Sequence, residues 1–336
     1  MNLNEDKYSK YALVREMLET VEIIRNFKTK DTSAVTKALK ETGKLFLTGE
    51  GSSRIFPAKN AINVAQKNAL PVTIYTEGSR QAAELDLSNF VIFGASNSGK
   101  TKEIISLFKS KPAAKKYALT AFLDTPLGKL SDNEFILNCG KEDAVAATKS
   151  VIEQALFYQK LLYGLMGKEI NAKTLNTLAD LSKHVLEMEI DPEITALIKN
   201  APIIYFAGRN VGAAEEATLK TNEITRKKSA YLEGTYAVHG IEEVMESGET
   251  VLLVEPYAEE EEKFKEVLMD SVGMNVIAIS SRKTIFPTIQ IPALEGFNNY
   301  LQIQACWNVL IEVGISAGVN LDKPERARKV GNEFIL

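Results

Sequence analysis

The sequence predicts an α/β fold of two tandem units, each a parallel sheet sandwiched between helices in three layers. Three observations carry that prediction. Short apolar runs end in glycine turns and lead into helical stretches, repeatedly along the chain. The pattern restarts after Pro192, with Gly208 standing where Gly49 stood and Glu233 where Glu77 stood. The runs show little polar alternation, as in strands covered by helices on both faces. Two copies of one unit account for this better than one long domain.

Taken in order, residues 1–28 read as an amphipathic helix, with Leu13, Met17, Val21 and Ile24 at helical spacing. A short helix through Val35 and Leu39 follows, and 29–190 form the first unit. Its strands are expected at the start of 44–53, where the strand runs into a glycine turn, and at 70–78, 89–93, 117–124 and 133–139, and its later helices at 144–165 and 172–189. The second unit, 191–320, repeats the order with strands at 202–208, 229–234, 249–256 and 274–280. Residues 321–336 form a tail. In such sheets ligands sit beyond the carboxyl ends of the strands, where both glycine turns fall.

Composition excludes several function classes. The formal net charge of the 336 residues is −4, so no basic field exists to draw nucleic acid. The patch Lys109, Lys111, Lys115 and Lys116 reads as a solvated helix end. The two cysteines, Cys139 and Cys306, lie in apolar surroundings and form neither a disulfide framework nor a thiolate metal site. They suit buried thiols in a reducing compartment. The start MNLNEDKYSK is no signal peptide, and no stretch approaches the ~20 apolar residues of a membrane span. A cytoplasmic protein with no membrane partner is expected.

The segment GASNSGKT (94–101) lies between a strand and a helix start and fits the P-loop pattern G-x-x-x-x-G-K-[ST]. Asp124 closes a downstream apolar run that would serve as its second motif. Two features favour a single terminal phosphate over a nucleotide. Two strand-like segments precede the loop within its unit, whereas a P-loop ordinarily follows the first strand. The hydroxyls of Ser96, Ser98 and Thr101 supply several short donors, which with helix N–H groups cradle phosphate oxygens. A polar turn without a ligand is the remaining reading.

Several spaced motifs together resemble the double-SIS phosphosugar isomerases, which include the isomerase half of glucosamine-6-phosphate synthase, amino-sugar 6-phosphate deaminases and fructosamine 6-phosphate deglycases. The resemblance runs from about Lys44 to the C-terminus. The family's phosphate loop S-x-S-G-x-T stands here as Ser96, Asn97, Ser98, Gly99, Lys100 and Thr101, with lysine where glutamate is usual. Its first glycine turn is Gly51-Ser52-Ser53. The motif G-x-E-x-x-V-A-S-T-K appears as GKEDAVAATK, placing Glu142, Val145, Thr148 and Lys149 in register and Ala147 in place of a serine. L-K-x-x-E matches Leu219, Lys220 and Glu223. His239-Gly240 stands sixteen residues beyond Glu223, and Asp322, Pro324 and Lys329 match the tail motif. Where many relatives carry glutamate and proline around the histidine, this chain has Tyr236 and Ile241, and Glu233 is the nearest substitute for the glutamate.

The resemblance implies substrate and phosphate contacts at Gly51, Ser52, Ser53, Ser96, Asn97, Ser98, Thr101, Val145 and Ala147. It implies catalytic roles for Lys220, Glu223, His239 and Lys329, with Lys329 forming a Schiff base or neutralising an enediolate. A histidine suits ring opening because it gives and takes protons near neutrality. A carboxylate desolvated enough to raise its pKa suits proton transfer between C1 and C2. On spacing alone, Lys220 and Glu223 also read as a surface i,i+3 pair worth about 0.2–0.5 kcal/mol. His184, amid mixed charges, reads as an ordinary exposed histidine. No metal or organic cofactor is expected, and the resemblance implies a homodimer that shares active sites. With no cysteine before Cys139, ammonia from glutamine by the synthases' route is not expected. The expected reaction is isomerisation or deamination of an amino- or ketohexose 6-phosphate such as glucosamine 6-phosphate. Alternatives are a deglycase, a non-catalytic phosphosugar sensor and, least favoured, a P-loop hydrolase.

Overall fold

The computed structural model describes residues 1–112 and 114–326. The chain divides into two compact units. The first-sheet unit comprises Glu19–Asp143 and Ala147–Ala179; the second-sheet unit comprises Met1–Leu18, Ala144–Ala146 and Asp180–Glu325.

In the first-sheet unit, strands β1 (Lys44–Gly49), β2 (Thr73–Thr76), β3 (Val91–Ala95), β4 (Lys115–Thr120) and β5 (Asn133–Ile136) run parallel in the order β2-β1-β3-β4-β5. In the second, β6 (Ile203–Gly208), β7 (Lys228–Glu233), β8 (Thr250–Val254), β9 (Asn275–Ser280) and β10 (Thr288–Gln290) adopt the matching order β7-β6-β8-β9-β10. The match extends to register: Gly49 lies opposite Ala95 as Gly208 lies opposite Val254. The predicted repeat is therefore present strand for strand, and both sheets are all-parallel as the apolar runs required.

Each sheet is buried by helices that the loops deliver to its faces. In the first, Ile104, Ile105, Leu107 and Phe108 of helix Lys102–Ser110 join Phe46, Ile92 and Ala118 in one apolar cluster. Phe157 and Tyr158 of helix Lys149–Leu165 pack against Phe93, which also stacks on Tyr117 with ring centroids 5.2 Å apart. Each such side chain contributes about 1.5–3 kcal/mol by leaving water. In the second, Tyr205, Val251, Leu253, Phe264, Leu268 and Ala278 form the corresponding cluster.

Several sequence expectations are corrected. The helix expected from Ala144 begins at Lys149, because Ala144 N–H goes to Glu16 and Thr148 N–H to Glu142, so that 140–148 runs as an irregular segment with bends at 144–146. Strand β5 ends at Ile136 because the N–H groups of Asn138 and Cys139 turn to the Glu153 carboxylate. Strand β2 is confined to Thr73–Thr76, and β4 ends before the turn at Asp124, whose φ is +57°. The expected N-terminal helix is present in two pieces, a one-turn helix Asp6–Ser9 and the helix Ala12–Arg25. The lysine patch is not a solvated helix end throughout. Lys116, the second residue of β4, is buried with its Nζ donating to Phe108 O at 2.8 Å, and burial lowers its pKa. Lys111 Nζ donates to the carbonyls of Ala83 and Leu85. Sequence reading also passed over β10, a three-residue strand between Pro287 and Pro292, and helices Pro192–Asn200 and Asn298–Ser316. Among the described residues no helix is long and apolar enough to cross a membrane.

Candidate active site

Because β1 and β3 are adjacent and in register to their last residues, the turn 50–53 and the loop 96–101 leave the same sheet end side by side. The first turn is tight. A Cβ on Gly49 would stand 2.8 Å from Ser53 O, and Gly51 has φ +55°, so glycine is required at both. Ser52 is buried at the turn, and the turn is pinned by Glu50 Oε1, which accepts from Ser79 N at 3.0 Å.

The loop closes on itself through hydroxyls. Ser96 Oγ lies 2.7 Å from Thr101 Oγ1 and accepts from Gly99 N at 3.1 Å, while Ser98 Oγ accepts from Lys100 N at 3.2 Å. Thr101 is the N-cap of helix Lys102–Ser110, yet its hydroxyl makes no capping bond, being spent on Ser96. The loop is thus a ring of hydroxyls at a helix N-terminus, the arrangement that suits a phosphate monoester. Gly99 has φ +65°, and a Cβ there would fall 2.3 Å from Thr125 Cβ. Thr125 is held from behind by Glu134, whose Oε1 accepts from its hydroxyl at 2.6 Å. Gly94 serves packing and not phosphate: a Cβ there would meet Ile104 at 2.7 Å. Lys100 and Asp124, the residues a P-loop would use, are both exposed.

Of the segment GKEDAVAATK, Val145 and Ala147 are half-buried, and Thr148 is fully buried with an unpartnered hydroxyl. Lys149, also buried, pairs with Glu19 at 2.7 Å. Glu142 is 4% exposed and reaches the phosphate loop: its Oε2 accepts from Asn97 Nδ2 at 3.2 Å. The Asn97 side chain is therefore turned toward Glu142. Cys139 lies in the same wall, and burial, with Glu153 and Glu142 adding to it, raises its thiol pKa.

In the second-sheet unit, helix Ala213–Thr225 follows β6 and carries Lys220 and Glu223. The surface-pair reading of these two is corrected: Lys220 has no solvent exposure at all. Its Nζ lies 3.2 Å from Glu216 Oε1 and 2.9 Å from Glu223 Oε2. Burial alone would lower the lysine pKa, but the carboxylates of Glu223 and Glu216 outweigh it and hold the value above the ordinary one. Glu216 is fully buried, whereas the Glu223 side chain keeps 25% of its surface open. The cluster is thus a sequestered cation presenting one carboxylate to the outside. Sequence reading missed Glu216 because its spacing to Lys220 is equally that of a surface pair.

His239 ends the short helical turn Tyr236–Val238 and is exposed, followed by Gly240 with φ +105°. Glu233, at the end of β7, is exposed, as is His184. Asp322 caps helix Ala12–Arg25: its two carboxylate oxygens accept from Ala12 N at 2.8 Å and Leu13 N at 2.9 Å. Arg226, at the end of the lysine-bearing helix, donates to the carbonyls of Asn320 and Lys323. Lys329 lies outside the described residues.

The corresponding loop of the second sheet, after β8, is tied to the ends of the neighbouring strands instead. Glu255, at φ +52°, accepts from Ser280 Oγ, Ser281 N and Ser281 Oγ, and its carbonyl accepts from Arg209. Among the described residues no group of three or more His, Cys, Asp or Glu stands together as a metal site.

No protein-family model matches the chain. In sequence it is 25% identical over 304 residues to a glutamine–fructose-6-phosphate aminotransferase (isomerizing) of Methanocaldococcus jannaschii, covering 87% of this chain and 27% of the relative. It is 22% identical over 312 residues to the enzyme of that name from Sulfolobus acidocaldarius, covering 87% and 50%. The chain therefore spans half or less of the length of these curated relatives. Among solved structures, the C-terminal domain of glucosamine-fructose-6-phosphate aminotransferase from Francisella tularensis superposes with a TM-score of 0.79 at 17% identity, covering 95% of this chain and 100% of that one. Glucosamine-6-phosphate deaminase from Thermotoga maritima gives 0.73 at 18% identity, covering 95% and 98%.

Proposed function

We propose that this chain, whose fold is that of the double-SIS phosphosugar isomerases, isomerises or deaminates an amino- or ketohexose 6-phosphate, with glucosamine 6-phosphate as the leading substrate. The observation that carries the reading is the Lys220 cluster. A lysine without solvent exposure is costly unless it is paired, and here it fixes Glu223 with one face open. A positioned carboxylate of that kind suits proton transfer between C1 and C2. The hydroxyl ring of Ser96, Ser98 and Thr101, flanked by the Gly51–Ser53 turn, is the phosphate seat in this reading.

In the deaminase form, His239 opens the pyranose ring by moving a proton between the O1 hydroxyl and the ring oxygen. Glu223 removes the C2 proton of the open aldose and returns it to C1, while O1 takes up a proton and the C2 amine gives one up, leaving a C1 hydroxyl and an imine at C2. Water then adds to that carbon and ammonia leaves, giving fructose 6-phosphate. The reading expects a homodimer in which each site receives His239 of the partner subunit, consistent with an imidazole exposed on the single chain. A fully active monomer in light scattering would refute that part.

The test is an ammonia-release assay on glucosamine 6-phosphate with fructose 6-phosphate measured in parallel, beside ATP hydrolysis with magnesium. Equimolar ammonia and fructose 6-phosphate, lost in Glu223→Gln and retained in Lys100→Ala, is the expected result. ATP hydrolysis that depends on Lys100 would overturn it in favour of a P-loop enzyme. Phosphosugar binding without ammonia would move the assignment to a deglycase, an isomerase without deaminase activity, or a sensor.

A further inference from the structure

The Glu142 carboxylate is satisfied from two directions. Oε1 accepts from Thr148 N at 2.7 Å and from Ser150 N at 3.4 Å, and Oε2 accepts from Ser150 Oγ at 2.6 Å. These donors belong to the start of helix Lys149–Leu165, where an acceptor is favoured by otherwise unpaired N–H groups. Oε2 also accepts from Asn97 Nδ2 of the phosphate loop. One buried side chain therefore ties the loop after β3 to the helix that follows the GKEDAVAATK segment.

We infer that Glu142 is a positioning residue: by acting only as an acceptor it fixes the Asn97 amide, and through Asn97 it holds the hydroxyl ring open to a phosphate. The inference rests on the phosphosugar reading above. A carboxylate oxygen accepts, so the donating face of Asn97 turns toward it, with Gly140 O a longer second acceptor at 3.5 Å and Cys139 Sγ on the Asn97 Oδ1 side. That leaves the backbone and the hydroxyls of Ser96, Ser98 and Thr101 to meet the ligand. A carboxylate behind an anion site would by charge alone weaken binding. Electrostatics and positioning therefore predict opposite signs when the charge is removed, and the sign decides between them.

The experiment is calorimetric titration of the full chain with glucosamine 6-phosphate, repeated with inorganic phosphate, on Glu142→Gln, Asn97→Asp and the combination of the two. Glu142→Gln presents a donor to Asn97 and should weaken binding about tenfold, the worth of one hydrogen bond to a charged group. Asn97→Asp sets two carboxylates together and should weaken it further. The combined variant restores a donor–acceptor pair at unchanged net charge and should recover most of the affinity lost by Asn97→Asp. Unchanged or tighter binding by Glu142→Gln would overturn the inference, as would losses that add in the combined variant. If Glu142→Gln alone does not fold, the comparison of Asn97→Asp with the combined variant decides by the same criterion. Failure of the unaltered chain to bind either probe would instead strike the phosphosugar reading itself.

Discussion

Replacing Lys220 by methionine is the sharpest perturbation the molecule offers. Methionine fills much of the lysine volume but removes a cation that touches Glu216 at 3.2 Å and Glu223 at 2.9 Å. Glu223 has 25% of its side chain open and can be solvated, so its share of the loss is small. Glu216 has no exposure and is left as a buried charge without that partner. Breaking a buried pair in this way costs about 3–5 kcal/mol. At about 2–4 °C per kcal/mol, the melting transition of the second-sheet unit should fall by roughly 6–20 °C at pH 7. Combining Lys220→Met with Glu216→Leu replaces the whole pair by apolar groups and should recover most of the loss. In the unaltered protein the lysine pKa is raised on folding. Its stabilisation is therefore complete below the ordinary value of 10.5 and is lost as pH climbs through the raised one. Differential scanning calorimetry across pH 5–8 reads the variants. A Lys220→Met loss below about 1 kcal/mol, the size of a surface pair, would refute the argument.

Three further outcomes follow from the geometry. Ser96→Ala with Thr101→Val removes both hydroxyls of the 2.7 Å contact and should raise KM for the phosphosugar about 10- to 100-fold with kcat little changed; steady-state kinetics reads this, and a fall in kcat alone would contradict it. Gly99→Ala puts a methyl group 2.3 Å from Thr125 Cβ at φ +65°, so phosphosugar binding should be lost by titration, while Lys100→Ala next to it binds normally. Asp322→Ala removes two capping bonds from helix Ala12–Arg25 and should cost about 1–2 kcal/mol in thermal unfolding; no change would mean water replaces the cap.

The strands and glycine turns were legible because their signals are local. Gly49 and Gly99 are demanded by contacts a few ångströms away, and the apolar runs by helices on both faces. The phosphate loop was legible as a ring of hydroxyls, although Gly94 matched the P-loop pattern for an unrelated packing reason. What could not be read was burial of charge. Lys220 with Glu223 at i,i+3 has the same spacing on a wet face as in a core, and Lys116 sat among lysines that looked solvated. The irregular course of 140–148 was hidden as well. Its alanines favour helix, and the Glu16 and Glu142 carboxylates take N–H groups of Ala144 and Thr148 away from a helical pattern. Asp322 was noticed in the tail motif, but its work as a cap for Ala12 and Leu13, 310 and 309 residues away, lies beyond any local pattern.

The two sheets share strand order and register, yet the loop after β3 leaves its hydroxyls at a helix start while the loop after β8 folds Glu255 onto Ser280 and Ser281. A duplicated frame of this kind separates heritable scaffold from heritable chemistry. Glu255 ties the ends of β8, β9 and β6 together through Ser280, Ser281 and Arg209, so the second sheet spends on its own cohesion the polar groups that the first leaves at a helix start.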